Sequence, residues 1–334
     1  MASAAPPLLG FLRRRLLQVL PVVFGIALLN FLILQLAPGD VVDVLAGEAG
    51  AATPEYMAQL RASFGLDQPL GVQFWNYMTS VATLDLGWSF RQNMPVLDLI
   101  LERIPATLLL MGSAIAVALA MGVLLGVLSA IRVHGWLDDV VSVFVLLTYA
   151  LPTFWLGLMA MVLFSARLGW LPSGGMVDLG ASHTGLAWAL DVTRHALLPA
   201  LTLSTFYLAV YTKLVRTSML ELYGADFIRT ARAKGAGELR ITVRHALRNA
   251  LLPLLTMVGY QVASLLSGAV LVESVFNWPG IGRLAFEAIM SRDFNLLLGI
   301  LLLSSVLVTL INVVVDLLYA WLDPRVQLAG GASA

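Results

Sequence analysis

The sequence contains no cysteine, which excludes a disulfide framework, a thiolate metal site and a cysteine nucleophile. Charge is also scarce: 12% of residues are Asp, Glu, Lys or Arg, against about 25% in a soluble globular domain. The signs cancel, with 20 basic and 20 acidic residues. Four histidines are present, His134, His183, His195 and His245, and no spacing among them reads as a metal site. No G-x4-G-K-[ST] phosphate loop occurs, so ATP hydrolysis by that route is excluded. Lys234-Gly235 runs in the reverse order and no Ser or Thr follows. No Ser/His/Asp grouping points to a hydrolase.

Apolar residues are abundant. They make up 59% of the 334 residues, and the mean hydropathy is +0.88. Such a composition belongs to an all-α integral membrane protein with a single transmembrane domain over 1–334. A spanning helix needs about 20 mostly apolar residues. Six segments qualify: 13–36, 104–131, 138–166, 196–215, 250–272 and 295–319. Strands of a barrel would be shorter and would alternate. Arg13-Arg14-Arg15 precedes an apolar run that is too long for a signal-peptide core of about 7–15 residues. The first segment therefore reads as a retained helix.

With an even number of spans, both termini lie on one side. A cytoplasmic N-terminus places 13 of the Lys and Arg inside and 7 outside, while 13 acids fall outside and 7 inside. That bias sets both termini in the cytoplasm. The arm 1–12 and the tail 320–334 are then cytoplasmic, and 38–103 is the longest external loop. Within it, Thr53-Pro54-Glu55 reads as an N-cap, a first-turn proline and a first-turn acid, with Gly65 closing a short helix. A second external helix over Val96–Ile104 is expected to stop or kink at Pro105. The loop 167–194 contains Ser173-Gly174-Gly175 and reads as irregular. Asn277-Trp278-Pro279-Gly280 reads as a turn before an amphipathic piece from Ile281 to Met290. Pro152 is expected to kink the third span. Glu273 and Asp316, near span ends, read as snorkelling or locally paired.

The densest charge lies in the internal loop 216–249 and just before it. Eight of the 20 Lys and Arg occur there: Lys213, Arg216, Arg229, Arg232, Lys234, Arg240, Arg244 and Arg248. Tyr223 to Ala233 suits an amphipathic helix, with Tyr223, Phe227, Ile228 and Ala231 on one face. Lys234-Gly235-Ala236-Gly237 breaks it, and Glu238 to Arg248 rebuilds a helix running into the fifth span. Basic residues beside spans also orient proteins and bind anionic lipid at about 1 kcal/mol each. The glycine turn inside a charged helical hairpin favours a docking element for a soluble partner.

This layout resembles the permease subunits of bacterial ABC importers, and more narrowly the dipeptide/oligopeptide/nickel permease family. Against the general motif E-A-A-x3-G-x9-I-x-L-P, only Ala231, Gly235 and Leu247 match. The peptide branch favours D-[YF]-[VI]-R-T-A-R-A-K-G followed by R-H-A-L-R-N-A-L-L-P. Both stand here, as Asp226 to Gly235 and Arg244 to Pro253. Further similar stretches are Leu36 to Asp40, Phe64 to Asp67, Glu102 to Thr107, Leu151 to Gly157, Glu273 to Leu284 and Leu322 to Arg325.

The resemblance implies a non-catalytic pore half with no cofactor of its own. Its implied partners are a homologous second permease, two ATPase domains that use ATP and Mg, an external solute-binding protein and the bilayer of the bacterial inner membrane. It implies no nucleic-acid partner. Asp226, Arg229, Thr230, Ala231, Arg232, Lys234, Gly235, Glu238, Arg240, Arg244 and His245 would form the ATPase-docking loop. Peptide is the first expectation for cargo, with nickel, glutathione or another small solute as alternatives.

Polar groups within spans usually face protein or a cavity. Ser204, Tyr207 and Tyr211 share a face of span four, and Met257, Gln261, Ser264 and Gly268 share one of span five. Each set is a candidate path lining or an interhelical packing face, as is Gly122-x3-Gly126 for packing alone. A stand-alone secondary transporter would need midplane ion ligands and, usually, internal repeats. An intramembrane enzyme would need paired ionisable groups within spans. The sequence offers neither.

Overall fold

A computed structural model describes residues 8–36, 42, 53–63, 65–178, 180 and 184–322. The expected features at 37–40, Phe64, His183 and 323–334, and the first seven residues of the N-terminal arm, lie outside the described residues. Two compact units appear, one drawn from residues up to Ile104 and from Leu284 onward, the other from Pro105–Arg283.

In the first unit, α1 (Leu8–Leu36) packs along α12 (Phe294–Leu322), and the buried Asn30 Nδ2 donates to Leu298 O at 3.1 Å. The predicted cap of α2 (Pro54–Ser63) is present: Tyr56 N donates to Thr53 Oγ1 at 3.3 Å, and Gly65 takes φ +66° beyond the last turn. The next helix, α3 (Leu70–Ala82), sets Phe74 edge-on to Phe31 at 5.3 Å. A two-stranded ribbon follows, β1 (Trp88–Ser89) with β2 (Met94–Pro95). The buried Ser89 hydroxyl donates to Asp293.

Pro105 does not end the helix begun at Val96. α4 runs unbroken over Val96–Ile131, 36 residues. A proline removes one intrahelical hydrogen bond, a loss that spanning helices tolerate; the long apolar run beyond it outweighs the local signal. Pro152 does more than kink. α5 (Trp136–Ala150) and α6 (Thr153–Ala160, continued by a π-helical stretch Met161–Arg167) meet at 108°. Leu151, forced out of the helical region by the following proline, is extended at φ −84°, ψ 139°.

The loop after α6 is shorter than expected, because α7 starts at Leu186 and runs 38 residues to Tyr223. Asp191 and His195, within and next to the expected loop, both lie on this helix and are buried. After a charged hairpin described below, α10 (Arg248–Val275) packs on α7, and α11 (Ile281–Ser291) precedes α12. Gly122 and Gly126 of α4 lie against α7. A Cβ on either would meet Tyr211 Cβ or Thr212 O at 2.8 Å, so that contact requires glycine.

Glu273 neither snorkels nor lies exposed. It is wholly buried, and its carboxylate accepts from Thr107 Oγ1 at 2.7 Å and from Arg283 N at 3.0 Å. Trp278, also wholly buried, donates Nε1–H to Ala106 O at 2.9 Å. The side chain of Asp316 lies outside the described residues.

Among the described residues, four helices are individually long and apolar enough to cross a membrane: α1, α4, α7 and α12. The bent α5–α6 pair makes a fifth if it is one span. α10 covers the expected fifth segment with 28 residues, about 42 Å at 1.5 Å per residue.

Candidate functional site

Tyr223 closes α7 rather than opening the next helix. Gly224 and Ala225 intervene, with Ala225 extended at φ −72°, ψ 149°, and α8 begins at Asp226 (Asp226–Ala233). The α8 terminus is a Schellman motif: Gly235 N donates to Arg232 O at 2.9 Å and Ala236 N to Ala231 O at 3.1 Å. Gly235 supplies the required left-handed residue at φ +80°. After Gly237, α9 (Glu238–Arg240) passes through a π-helical stretch, Ile241–Leu247, directly into α10.

One tie crosses the glycine turn. Arg232 Nε donates to Glu238 Oε1 at 2.9 Å and Nη2 to Oε2 at 3.2 Å, a bidentate fork that lowers the Glu238 pKa and raises that of Arg232. Both groups are solvent-exposed. A second tie joins the hairpin to the long helices: the Tyr223 hydroxyl meets Thr242 Oγ1 at 3.0 Å. Ile228, Ile241 and Ala246 are wholly buried beneath, with Ala231 half-buried.

Of the predicted docking residues, Asp226, Arg229, Thr230, Arg232, Lys234, Gly235, Glu238, Arg240 and Arg244 all stand on the exposed side, and His245 is half-buried. Asp226 and Arg229 pair at 3.6 Å along α8. Phe227, expected on the inner face, is instead 42% exposed, while its neighbour Ile228 turns inward. Leu239 and Val243 are exposed as well, at 78% and 54%. Leu239 and Val243 have no place in the sequence-based expectation for this loop. Their signal is the four-residue spacing that puts both on one side of the helix, next to Arg240 and Arg244.

Beside the hairpin, Asp138 at the start of α5 receives both Arg216 Nε and Nη2 at 2.8 Å, and the Ser129 hydroxyl also donates to it. This buried cluster fixes the α4–α5 turn to α7 close to where the hairpin departs. It also removes Arg216 from the freely exposed cations.

The other candidate set falls at the contact of α7 with α10. Ser204, Tyr207, Tyr211 and Gln261 are buried. Tyr207 OH and Ser264 Oγ are 3.3 Å apart, and a Cβ on Gly268 would lie 3.3 Å from Leu203. Gln261 Oε1 is buried without a hydrogen-bond partner. Met257 alone of the seven lines a largely apolar groove of about 790 Å³, together with Val145, Tyr149, Val210 and Lys213.

The model of the family described as "binding-protein-dependent transport system inner membrane component" matches residues 122–328, and that of its N-terminal region matches 8–111. The chain belongs to this family. As a permease of this kind it is a multi-pass membrane protein. It is 41% identical over 338 residues to the dipeptide transport system permease of Escherichia coli strain K12, covering 96% of this chain and 99% of that one. It is 40% identical to the di/tripeptide transport system permease of Pseudomonas aeruginosa strain UCBPP-PA14, covering 96% and 99%. Inward-facing MetNI methionine ABC transporter superposes with a TM-score of 0.54 at 18% identity, over 67% of this permease and 96% of that chain, a likeness of fold alone.

Proposed function

We propose that this permease is the membrane subunit of an ATP-driven importer, forming half of the path by which di- or oligopeptides delivered by an external binding protein cross the bacterial cytoplasmic membrane. The observation that carries this reading is the hairpin. It offers a cationic, partly apolar outer face, and it is tied through Tyr223–Thr242 and continuous helix to α7 and α10. A soluble ATPase seated on that face would move those helices as it closes. The exposed Phe227, Leu239 and Val243 would supply the desolvated anchors of the interface, with the arginines as its polar rim. The dipeptide and di/tripeptide names of its relatives favour peptide cargo.

In the transport cycle the residues of this chain bind, transmit and line; they perform no bond chemistry. The test is uptake of labelled di- and tripeptides into proteoliposomes holding the whole importer, with ATP inside and binding protein outside. ATP-dependent peptide uptake that nickel and glutathione do not inhibit is expected. Uptake driven by a proton or sodium gradient without ATP overturns the reading.

A further inference from the structure

Away from the hairpin, three metal-ligating side chains converge where the loop before α7 meets that helix. The ligand atoms of Asp178, Asp191 and His195 all lie within 4.8 Å of one another. Asp191 and His195 sit one turn apart on α7 and are 6% and 4% exposed, while the Asp178 side chain is 60% exposed. Spacing among histidines alone gave no sign of this group, because two of its members are carboxylates and Asp178 arrives from a separate loop.

Two independent features point to a cation. The first is the orientation of the imidazole. His195 Nδ1 lies 3.0 Å from Asp191 O and 3.2 Å from Asp191 Oδ1, two acceptors that place a proton on this nitrogen. Nε2 points the other way, faces Asp178 Oδ1 at 3.6 Å and has no hydrogen-bond partner among the described residues. Metal-binding histidines are held in this way, with the second nitrogen donating to a carbonyl or carboxylate. The second feature is charge. Asp191 is nine-tenths buried and Oδ2 accepts from Asp178 N at 2.9 Å, but no Lys or Arg among the described residues pairs with Asp191 or Asp178. Two carboxylates therefore meet with one imidazole as their only basic neighbour among the described residues, and burying carboxylates is costly without compensating positive charge.

We propose that Asp178, Asp191 and His195 form a site for a divalent transition ion such as Zn2+ or Mn2+, which ties Asp178 to the start of α7. One imidazole nitrogen with two carboxylate oxygens suits these ions better than Ca2+ or Mg2+, which take oxygen alone. Ligands about 2.1 Å from Zn2+ stand about 3.4 Å apart in a tetrahedron, close to the Nε2–Oδ1 separation. The exposed side of Asp178 leaves a position for water. The site is structural: it joins loop to helix and needs no part of the proposed transport cycle.

The experiment uses the assembled importer in detergent, carrying an affinity tag without histidine and stripped of metal by chelation. Metal content after equilibration with Zn2+, and thermal unfolding with and without Zn2+ or Mn2+, are compared for wild type, Asp178→Asn and His195→Gln. Asp178→Asn changes an exposed side chain and keeps the backbone bond to Asp191, so it is expected to fold. The expected result is one Zn2+ more per permease chain in wild type than in Asp178→Asn, a metal-dependent rise in Tm in wild type only, and affinity at least about tenfold lower in both variants. Equal metal content and equal Tm response in all three overturn the proposal. So does a wild type indifferent to metal whose variants differ only in their pH dependence, which would assign the counter-ion as a proton on His195. Loss of peptide uptake is not a readout, so failure here leaves the transport assignment standing.

Discussion

Thr107 and Glu273, 166 positions apart, share a hydrogen bond of 2.7 Å in which the hydroxyl donates to Oε1. The same Thr107 oxygen accepts from Ile281 N at 2.8 Å, and Glu273 Oε2 accepts from Arg283 N at 3.0 Å. The pair thus satisfies amide donors at the start of α11 that the helix cannot satisfy itself. Glu273→Leu removes the buried acceptor of Arg283 N and of the Thr107 hydroxyl and is expected to cost about 3 kcal/mol. Glu273→Gln, which keeps one acceptor oxygen, should cost less. Thermal unfolding in detergent ranks the three proteins; a Leu variant as stable as wild type would remove the node from the account of the fold.

Gly235 has nothing within 4 Å of where a Cβ would stand, so substitution there is penalised only through φ +80°. Asn, which tolerates the left-handed region, is expected to retain uptake. Val is expected to lose it while inserting normally, since the conformation costs about 1–2 kcal/mol for an ordinary L-residue. Pro, confined to negative φ, should be worse still. Equal uptake by the Asn, Val and Pro variants would show that the turn does not set the hairpin.

Leu239 is 78% exposed on the hairpin. Leu239→Asp should leave Tm unchanged, because little is lost from the core, yet reduce co-purification of the ATPase and uptake by at least about tenfold, as for an interface anchor. Quantitative pull-down under matched detergent measures it, and full recovery of the ATPase would place the interface elsewhere.

The Arg232–Glu238 fork gives the turn a pH dependence whose sign is fixed. Glu238 titrates below its ordinary value when paired with Arg232, so the fork contributes above the ordinary carboxyl range and is lost as pH falls through the lowered one. Hydrogen-exchange protection over 234–240, corrected for intrinsic rates, should fall on acidification in wild type. In Glu238→Gln it should already be low at neutral pH and change little. Identical profiles would count against the fork.

Gln261 Oε1 is buried with no hydrogen-bond partner. Gln261→Leu removes an unsatisfied buried group, so stability should hold or rise by about 1 kcal/mol. Transport kinetics should nevertheless change if α10 borders the path. Unaltered KM and kcat for uptake, with a raised Tm, would return Gln261 to packing alone.

The hairpin was legible because helix, glycine and helix are local signals: Gly235 as a left-handed terminus and Glu238 to Arg248 as a resumed helix follow from residue type and spacing. Its surface was less so. Phe227 and Ile228 stand about 100° apart on α8, and the sequence pattern alone does not decide which of the two turns inward. Pro105 and Pro152 carry the same local signal with opposite outcomes. Leu151 is extended while α4 continues, and one sequence contains no term for the packing that separates them. Glu273 was legible only as snorkelling or locally paired, because its buried partner Thr107 stands 166 positions away in the chain.

The most direct test of the central claim is affinity purification of this permease from its native membrane in mild detergent, with mass spectrometry of what accompanies it. A homologous second permease together with an ATPase, the ATPase lost in Leu239→Asp, is the predicted result. A lone chain or a homo-oligomer, stable across detergents and without an ATPase, would contradict it.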